Sequence, residues 1–168
     1  MSSYHFCPMC AQPLTRRHAF GRERPVCPAC GWVHFQDPKL AVGALVQDEA
    51  GRVLLIRRAV IPRIGFWAVP SGFVEHDEQP REALQREIAE ETGIQAEIGR
   101  VIDLFPNADA RKSGPFFLFE AYARGGELRP GDDVSDARWF GPEDAPWDAL
   151  AFAQLAGLLA QLWGREQP

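Results

Sequence analysis

Four cysteines, Cys7, Cys10, Cys27 and Cys30, fall within the first thirty residues, and none follows. They read CPMC, then sixteen intervening residues, then CPAC. Thirty residues cannot build a hydrophobic core of useful size, so a segment of this kind folds around a cross-link or a metal. In a reducing compartment two close pairs favour metal over disulfides. Two CxxC turns bring four thiolates together in the tetrahedral set that zinc prefers. The competing reading is a pair of redox dithiols or unrelated thiols. With four thiolates and no fifth cysteine the zinc site is closed and structural. His18 and His34 then have no ligand role and read as surface or packing residues.

The rest of the 168-residue chain has room for one ordinary domain. With 46% hydrophobic and 24% charged residues it reads as globular. No run approaches the length of a membrane span, and the opening MSSYHFCPMC lacks the basic and apolar regions of a secretory signal, so a cytoplasmic protein is expected. A net charge of −5 argues against a nucleic-acid coat, although a bound cation can reverse the local field for a phosphate-bearing ligand.

Pro38, in HFQDPK, closes the cysteine segment, which gives a ribbon over 1–37 and a second domain over 38–168. LAVGALVQD and VLLIRR, separated by EAGR, predict a hairpin. The aromatic- and Gly/Pro-rich 66–74 predicts a short strand and a loop. PREALQREIAEET predicts a helix with Asp77 as N-cap, Pro80 in its first turn and Gly93 just past its end. Strands are expected at about 96–105, 115–123 and 137–140, and a last helix at about 151–163. The fold class is mixed α/β.

The predicted helix carries Glu87, Glu90 and Glu91 on one face, since positions three and four apart are neighbours. Leu84 and Ile88 supply its apolar side, and Arg86 can pair with Glu90. One arginine does not neutralise three carboxylates, and crowded carboxylates raise each other's pKa unless a cation compensates. A hard divalent cation is one answer; a solvated acidic face is the other.

The wider stretch decides between them. In GFVEHDEQPREALQREIAEETGI, Gly72, Glu78, Arg86, Glu87, Ile88, Glu90, Glu91, Gly93 and Ile94 stand at the fixed offsets of the Nudix hydrolases, and the chain resembles that family at every defining position. The resemblance implies a loop–helix–loop on an α/β/α sandwich with a mixed sheet. It also implies Mg²⁺- or Mn²⁺-dependent cleavage of a nucleoside diphosphate linked to another group. By the same resemblance Glu87, Glu90 and Glu91 hold the metal with the Gly72 carbonyl, Arg86 orients a glutamate, and Glu78 supports the loop. A general base comes from the helix or from an acidic loop, for which GDDVSDARWF offers Asp132, Asp133 and Asp136.

A CxxC…CxxC ribbon ahead of such a domain is similar to the NADH pyrophosphatases, but their downstream Ser-Gln-Pro-Trp-Pro-Phe-Pro-like run is absent; KSGPFFLFE stands in that region. CPACGWVHFQDPK, IRRAVIPRIGFWAVPSGFVE and APWDALAF resemble a shorter ribbon–Nudix group associated with FAD and ADP-ribose pyrophosphatases. Pro106 lies too near the helix to be the proline that marks many ADP-ribose enzymes. Arg57, Arg58 and Arg63 are candidate phosphate ligands or exposed charges. Phe66 and Trp67 either stack on a substrate ring or fill a core.

The expected partner is therefore a dinucleotide or nucleotide-sugar, cleaved to AMP and a second monophosphate, by a chain that forms homodimers as this family often does. Removal of NAD or nucleotide caps from RNA is the alternative enzyme. A nucleotide-sensing regulator is the non-enzymatic alternative, though it usually accompanies a degraded glutamate motif. A nucleic-acid module in the ribbon has only Arg16, Arg17, Arg22 and Arg24 to support it within residues 1–35.

Overall fold

Why the charged segment TRRHAFGRERPV forms strands is a matter of its turn. In the computed structural model, which describes residues 4–106, 114–131 and 133–165, Phe20 and Gly21 both take positive φ, 50° and 77°. That pair is the two-residue loop whose twist matches a hairpin. It joins β1 (Thr15–Ala19) to β2 (Arg22–Val26), in register from Thr15 opposite Val26 to Ala19 opposite Arg22. Arg24 donates to the Phe20 carbonyl at 2.9 Å and lies 4.8 Å from the Phe35 ring centre. These strands carry no sequence signal, because neither alternates apolar with polar residues. His34 stacks on Trp32 and meets Tyr4, a packing role, while His18 lies exposed opposite Glu23.

Backbone contacts divide the chain into two compact units, Met1–Pro38 and Lys39–Pro168. The second is a sheet between helices. The expected hairpin is β3 (Ala41–Gln47) with β4 (Val53–Arg58), closed by a turn in which Asp48 accepts from the Ala50 and Arg52 N–H groups. The segment 66–74 makes two short strands, β5 (Trp67–Ala68) and β6 (Ser71–Phe73). Then come α1 (Pro80–Thr92), β7 (Ile94–Pro106), β8 (Pro115–Gly126), β9 (Val134–Phe140), a short 3₁₀ turn at Trp147–Ala149, and α2 (Ala153–Leu162). The sheet order is β5-β4-β3-β8-β7, with β6 on β3 and β9 on β4. Only β3 and β8 run parallel among the described pairs, so the sheet is mixed.

Strand alternation explains the two helical layers. Val42, Ala44, Val46, Leu54, Phe119 and Ala121 face one way and pack with Ala83, Leu84 and Ile88 of α1. Leu45, Val53, Leu55 and Leu118 face the other way and pack with Leu155 and Leu159 of α2. The strands run two or three residues beyond the expected bounds at β7, β8 and β9. The expected N-cap, Asp77, is not the cap. Pro80 is the first helical residue and forces its predecessor, Gln79, into extended backbone (φ −85°, ψ 152°), which is cap geometry. The Gln79 N–H donates to the Glu82 carboxylate at 3.0 Å. Gly93 ends α1 at φ 72°, as anticipated. No helix among the described residues is long and apolar enough to cross a membrane.

Candidate active site and metal centre

In the first unit two equivalent turns build the cysteine cluster. The Ala11 N–H donates to the Cys7 carbonyl at 2.8 Å and the Gly31 N–H to the Cys27 carbonyl at 3.0 Å; Ala11 and Gly31 both have positive φ. Cys7 and Cys27 are buried, Cys10 and Cys30 exposed. The four sulfurs lie within 4.8 Å of one another, with separations of 3.6 Å for Cys7–Cys30 and 3.5 Å for Cys10–Cys27 and Cys10–Cys30. Thiolates ~2.3 Å from a tetrahedral zinc stand ~3.8 Å apart, so this donor set fits such an ion. The N–H groups of Cys30 and Ala29 hold the Cys27 thiol down at about 6, while hydrogen bonding to neighbouring thiols in the cluster pushes Cys10 and Cys30 up.

In the second unit, α1 lays its carboxylates along a cavity of about 1060 Å³. Gly72, Glu87, Glu90 and Glu91 all line it, and so do Arg58 and Asp133. Arg86 ties loop to helix. Its Nη2 and Nε donate to Glu78 at 2.6 and 3.1 Å, its Nη1 to Glu87 and Glu90 at 2.8 and 3.0 Å, and Nη2 also reaches the Phe73 carbonyl at 3.2 Å. These bonds, with one from the Glu75 N–H, keep the Glu78 carboxyl below its usual range. Burial pushes Glu87 up, against the pull of Arg86.

Glu91 is the outlier. Desolvation pushes its carboxyl up to about 8, with Glu87 and Asp133 adding to the shift. The Ser71 N–H at 2.9 Å and the Arg58 guanidinium oppose it without cancelling it. A carboxyl raised this far is held neutral, and a cation bound beside it would restore its charged form. Gly72 shows how closely the loop approaches: a Cβ there would come within 2.0 Å of the Glu87 carboxylate. Glu87 lies against the Gly72 backbone and shares the cavity wall with Glu90 and Glu91. Carboxylate and carbonyl oxygens are the donors a hard divalent ion takes, although among the described residues only the four cysteines are already gathered into one ligand cluster.

The candidate phosphate ligands separate. Arg58 lies in the cavity wall with Ile56, two residues before it on β4, and donates from Nε to the Pro62 carbonyl at 2.8 Å. Arg57 points to the other face of the strand, where its Nε bonds the Gly65 carbonyl, and it does not line the cavity. Arg63 is exposed over the Phe66 ring, also away from the cavity. Trp67 does not face a ligand: it is 8% exposed, edge-on to Phe140 at 4.9 Å, and its stacking role on a substrate gives way to the core role. The hydrophobic residues around β5 need that volume filled. Of the acidic loop, Asp133 reaches the cavity, Asp136 pairs with Arg138 at 2.6 Å, and Asp132 lies outside the described residues. Arg129 and the apolar wall of Phe105, Phe116, Phe152, Leu155 and Leu158 also line the cavity, and sequence reasoning missed them. No local pattern marks them, because β7, β8, α2 and the β8–β9 loop converge only in the fold.

The sandwich and this cavity define a class: an α/β/α protein whose sheet-bound helix offers a hard-oxygen site beside arginines suited to phosphate. Comparison with known proteins gives it a family. The NUDIX domain model matches residues 37–162, and the model described as Nudix N-terminal matches residues 5–36. The chain belongs to the Nudix family.

It is 31% identical to the NAD-capped RNA hydrolase NudC of Stutzerimonas stutzeri, over all of this chain and 60% of that protein. It is 35% identical to the ADP-ribose pyrophosphatase of Methanocaldococcus jannaschii, over 70% of this chain and 69% of that one. The chain thus spans 52–60% of the length of these NAD-capped RNA hydrolases. Among solved structures, a NUDIX hydrolase from Nitrosomonas europaea superposes with a TM-score of 0.84 at 30% identity, covering 96% of this chain and 92% of that one. The NUDIX domain of Shewanella oneidensis NrtR, complexed with ADP ribose, gives 0.62 at 26% identity, over 76% and 87%.

Proposed function

We propose that this protein is a nucleotide pyrophosphatase, with residues 1–37 as its zinc ribbon and 38–168 as its hydrolase domain. It splits the diphosphate bond of a nucleoside diphosphate linked to a second group (FAD, ADP-ribose or an NAD(H)-like dinucleotide) into AMP and another monophosphate. The observation that carries this reading is Glu91, a half-buried carboxyl on a cavity wall that it shares with Glu87, Glu90 and Gly72.

Glu87, Glu90, Glu91 and the Gly72 carbonyl would hold Mg²⁺ or Mn²⁺. When bound, such an ion neutralises diphosphate oxygens and acidifies a water for attack on phosphorus. Arg86 fixes the rotamers of Glu87 and Glu90, and Glu78 fixes Arg86. Arg58 meets the phosphates from β4. Asp133, also on the wall, is the acidic-loop candidate to take the water's proton. The ribbon holds Zn²⁺ on Cys7, Cys10, Cys27 and Cys30, which stays loaded in a reducing cytoplasm.

A second reading, removal of NAD caps from RNA, is favoured by one observation: the likeness to NudC runs the whole length of this chain, ribbon included. The assembly we propose is a homodimer, supported by β7, whose outer edge ends the sheet with Val101, Ile102 and Leu104 exposed. Sedimentation at a single protomer mass would exclude it.

The test is turnover of FAD, NADH, NAD⁺, ADP-ribose and NAD-capped RNA with Mg²⁺ or Mn²⁺, for wild type and Glu91→Gln. Wild type should release AMP. The variant should lose ~10²-fold or more in kcat while keeping its fold, the scale on which lost charge stabilisation acts. Equal activity would remove Glu91 from the metal site. A wild type that binds ADP-ribose without cleaving it would make the protein a sensor.

A further inference from the structure

We infer that Arg129 is a substrate-binding residue that grips the diphosphate from the β8–β9 loop, an element of the cavity wall separate from the β4 strand that carries Arg58. This rests on the pyrophosphatase reading above for the identity of the anion. The placement of Arg129 comes from the helix that bears the glutamates. The C-terminal carbonyls of a helix lack partners within it. In α1 two of them are taken by the β8–β9 loop: the Arg129 N–H donates to the Thr92 carbonyl at 2.9 Å, and the Gly131 N–H to the Glu91 carbonyl at 3.0 Å.

The seam is tight on both sides. A Cβ at Gly93 would stand 2.4 Å from the Glu127 carbonyl oxygen, and one at Gly131 would stand 2.0 Å from the Glu90 carbonyl oxygen. Backbone therefore lies on backbone, and residues 127–131 are fixed to the same turn of helix that presents Glu90 and Glu91.

That seam sets the Arg129 side chain on the cavity wall, exposed, beside a group of charges that do not balance. The described cavity walls carry Glu75, Glu87, Glu90, Glu91 and Asp133 against Arg58 and Arg129. Arg58 already donates to the Pro62 carbonyl and faces Glu91 and Asp133. Arg129 makes no side-chain hydrogen bond or ion pair among the described residues. A planar guanidinium with its donors unspent, on a loop fixed to the glutamate helix, can pair its two-pronged fork with two phosphate oxygens. Arg58 on β4 and Arg129 on the β8–β9 loop come from different elements and line one cavity, so a bridging diphosphate can be held by both. The alternative role for Arg129 is to complement the negative end of the α1 dipole. That role would act on stability and leave substrate affinity unchanged.

The two are separated by steady-state kinetics and thermal unfolding of Arg129→Ala, Arg129→Gln and Arg129→Lys in the full chain, with whichever of FAD or ADP-ribose wild type cleaves. Loss of a charge-assisted hydrogen bond should raise KM ~10- to 100-fold for the Ala and Gln variants, with kcat changed less than about threefold and the melting temperature unmoved. Lys, a point charge without the fork, should recover part of the loss. An unchanged KM, or a KM change that tracks a fall in melting temperature across all three variants, overturns the proposal.

Calorimetric binding of ADP-ribose to Glu91→Gln, with and without Arg129→Ala, keeps the two readings distinct. If wild type cleaves nothing, the pyrophosphatase reading fails. A ~10-fold or greater affinity loss from Arg129→Ala would still support the anion site. Equal affinities would sink that site alone.

Discussion

Glu91 shows most clearly what one residue does to its surroundings and what they do to it. Its carboxyl is held near a pKa of about 8 instead of its ordinary 4.5, chiefly because burial disfavours the charge. Between those values the folded, metal-free chain keeps a proton that the unfolded chain has lost. This group's contribution to stability therefore declines as pH rises from about 4.5 to about 8 and levels off above. The melting temperature of metal-stripped protein should accordingly fall between pH 6 and 9, and Glu91→Gln should flatten that slope. Added Mg²⁺ should stabilise wild type more at pH 9 than at pH 6, because metal and proton compete for the same oxygens. A metal-free melting curve independent of pH would show that Glu91 ionises freely. Arg57 and Arg58 make the complementary point: adjacent in sequence and alike in chemistry, they are parted by the strand, which turns one into the cavity and the other away.

At the scale of elements, α1 is the part most fully written in the chain. Its apolar residues Leu84 and Ile88 are buried, its Pro80 and Gly93 set its ends, and its glutamates share one side. Every one of those facts follows from local spacing. The N-cap was misplaced because Asp77 is a good capping residue, whereas the geometry imposed before a proline selects Gln79. The C-terminal end matters beyond the helix, because Gly93 combines a positive φ with a backbone neighbour 2.4 Å from where a Cβ would sit. Gly93→Ala should cost about 2–3 kcal/mol in denaturant unfolding, through strain and displacement of the β8–β9 loop. It should also raise KM, since Arg129 rides on that loop. A variant with unchanged stability would mean that the seam yields easily. By contrast β1 and β2 were invisible in sequence: their pairing depends on a positive-φ turn at Phe20–Gly21 and on the cysteine turns flanking them, and neither leaves an apolar period.

For the whole molecule, two units divide the work of folding differently. Residues 39–168 bury two apolar layers on either side of one sheet, enough for an independent core. Among the described residues of the first unit little is buried besides Cys7 and Cys27, so its order depends on what the four sulfurs hold. Purified protein should contain about one zinc per chain. Chelation at neutral pH should abolish the near-ultraviolet and proteolytic protection of the first unit while the cooperative unfolding of the second persists. A ribbon that stays protease-resistant without zinc would refute the metal's structural role.

Spacing alone determined the cysteine cluster, the glutamate helix, the glycine before it and the family they belong to, because each depends on contacts within a turn or two of chain. The separate strands and helices were also legible from the period of the apolar residues, while the mixed sheet and its two helical layers were implied by the family resemblance. Only the tertiary structure decided which arginine enters the cavity, that Trp67 belongs to the core, and that Arg129 and the phenylalanines of β7, β8 and the α2 entrance share one wall. Those residues meet across long loops and a parallel strand pair, where side-chain direction is set by packing against distant segments rather than by neighbours in sequence.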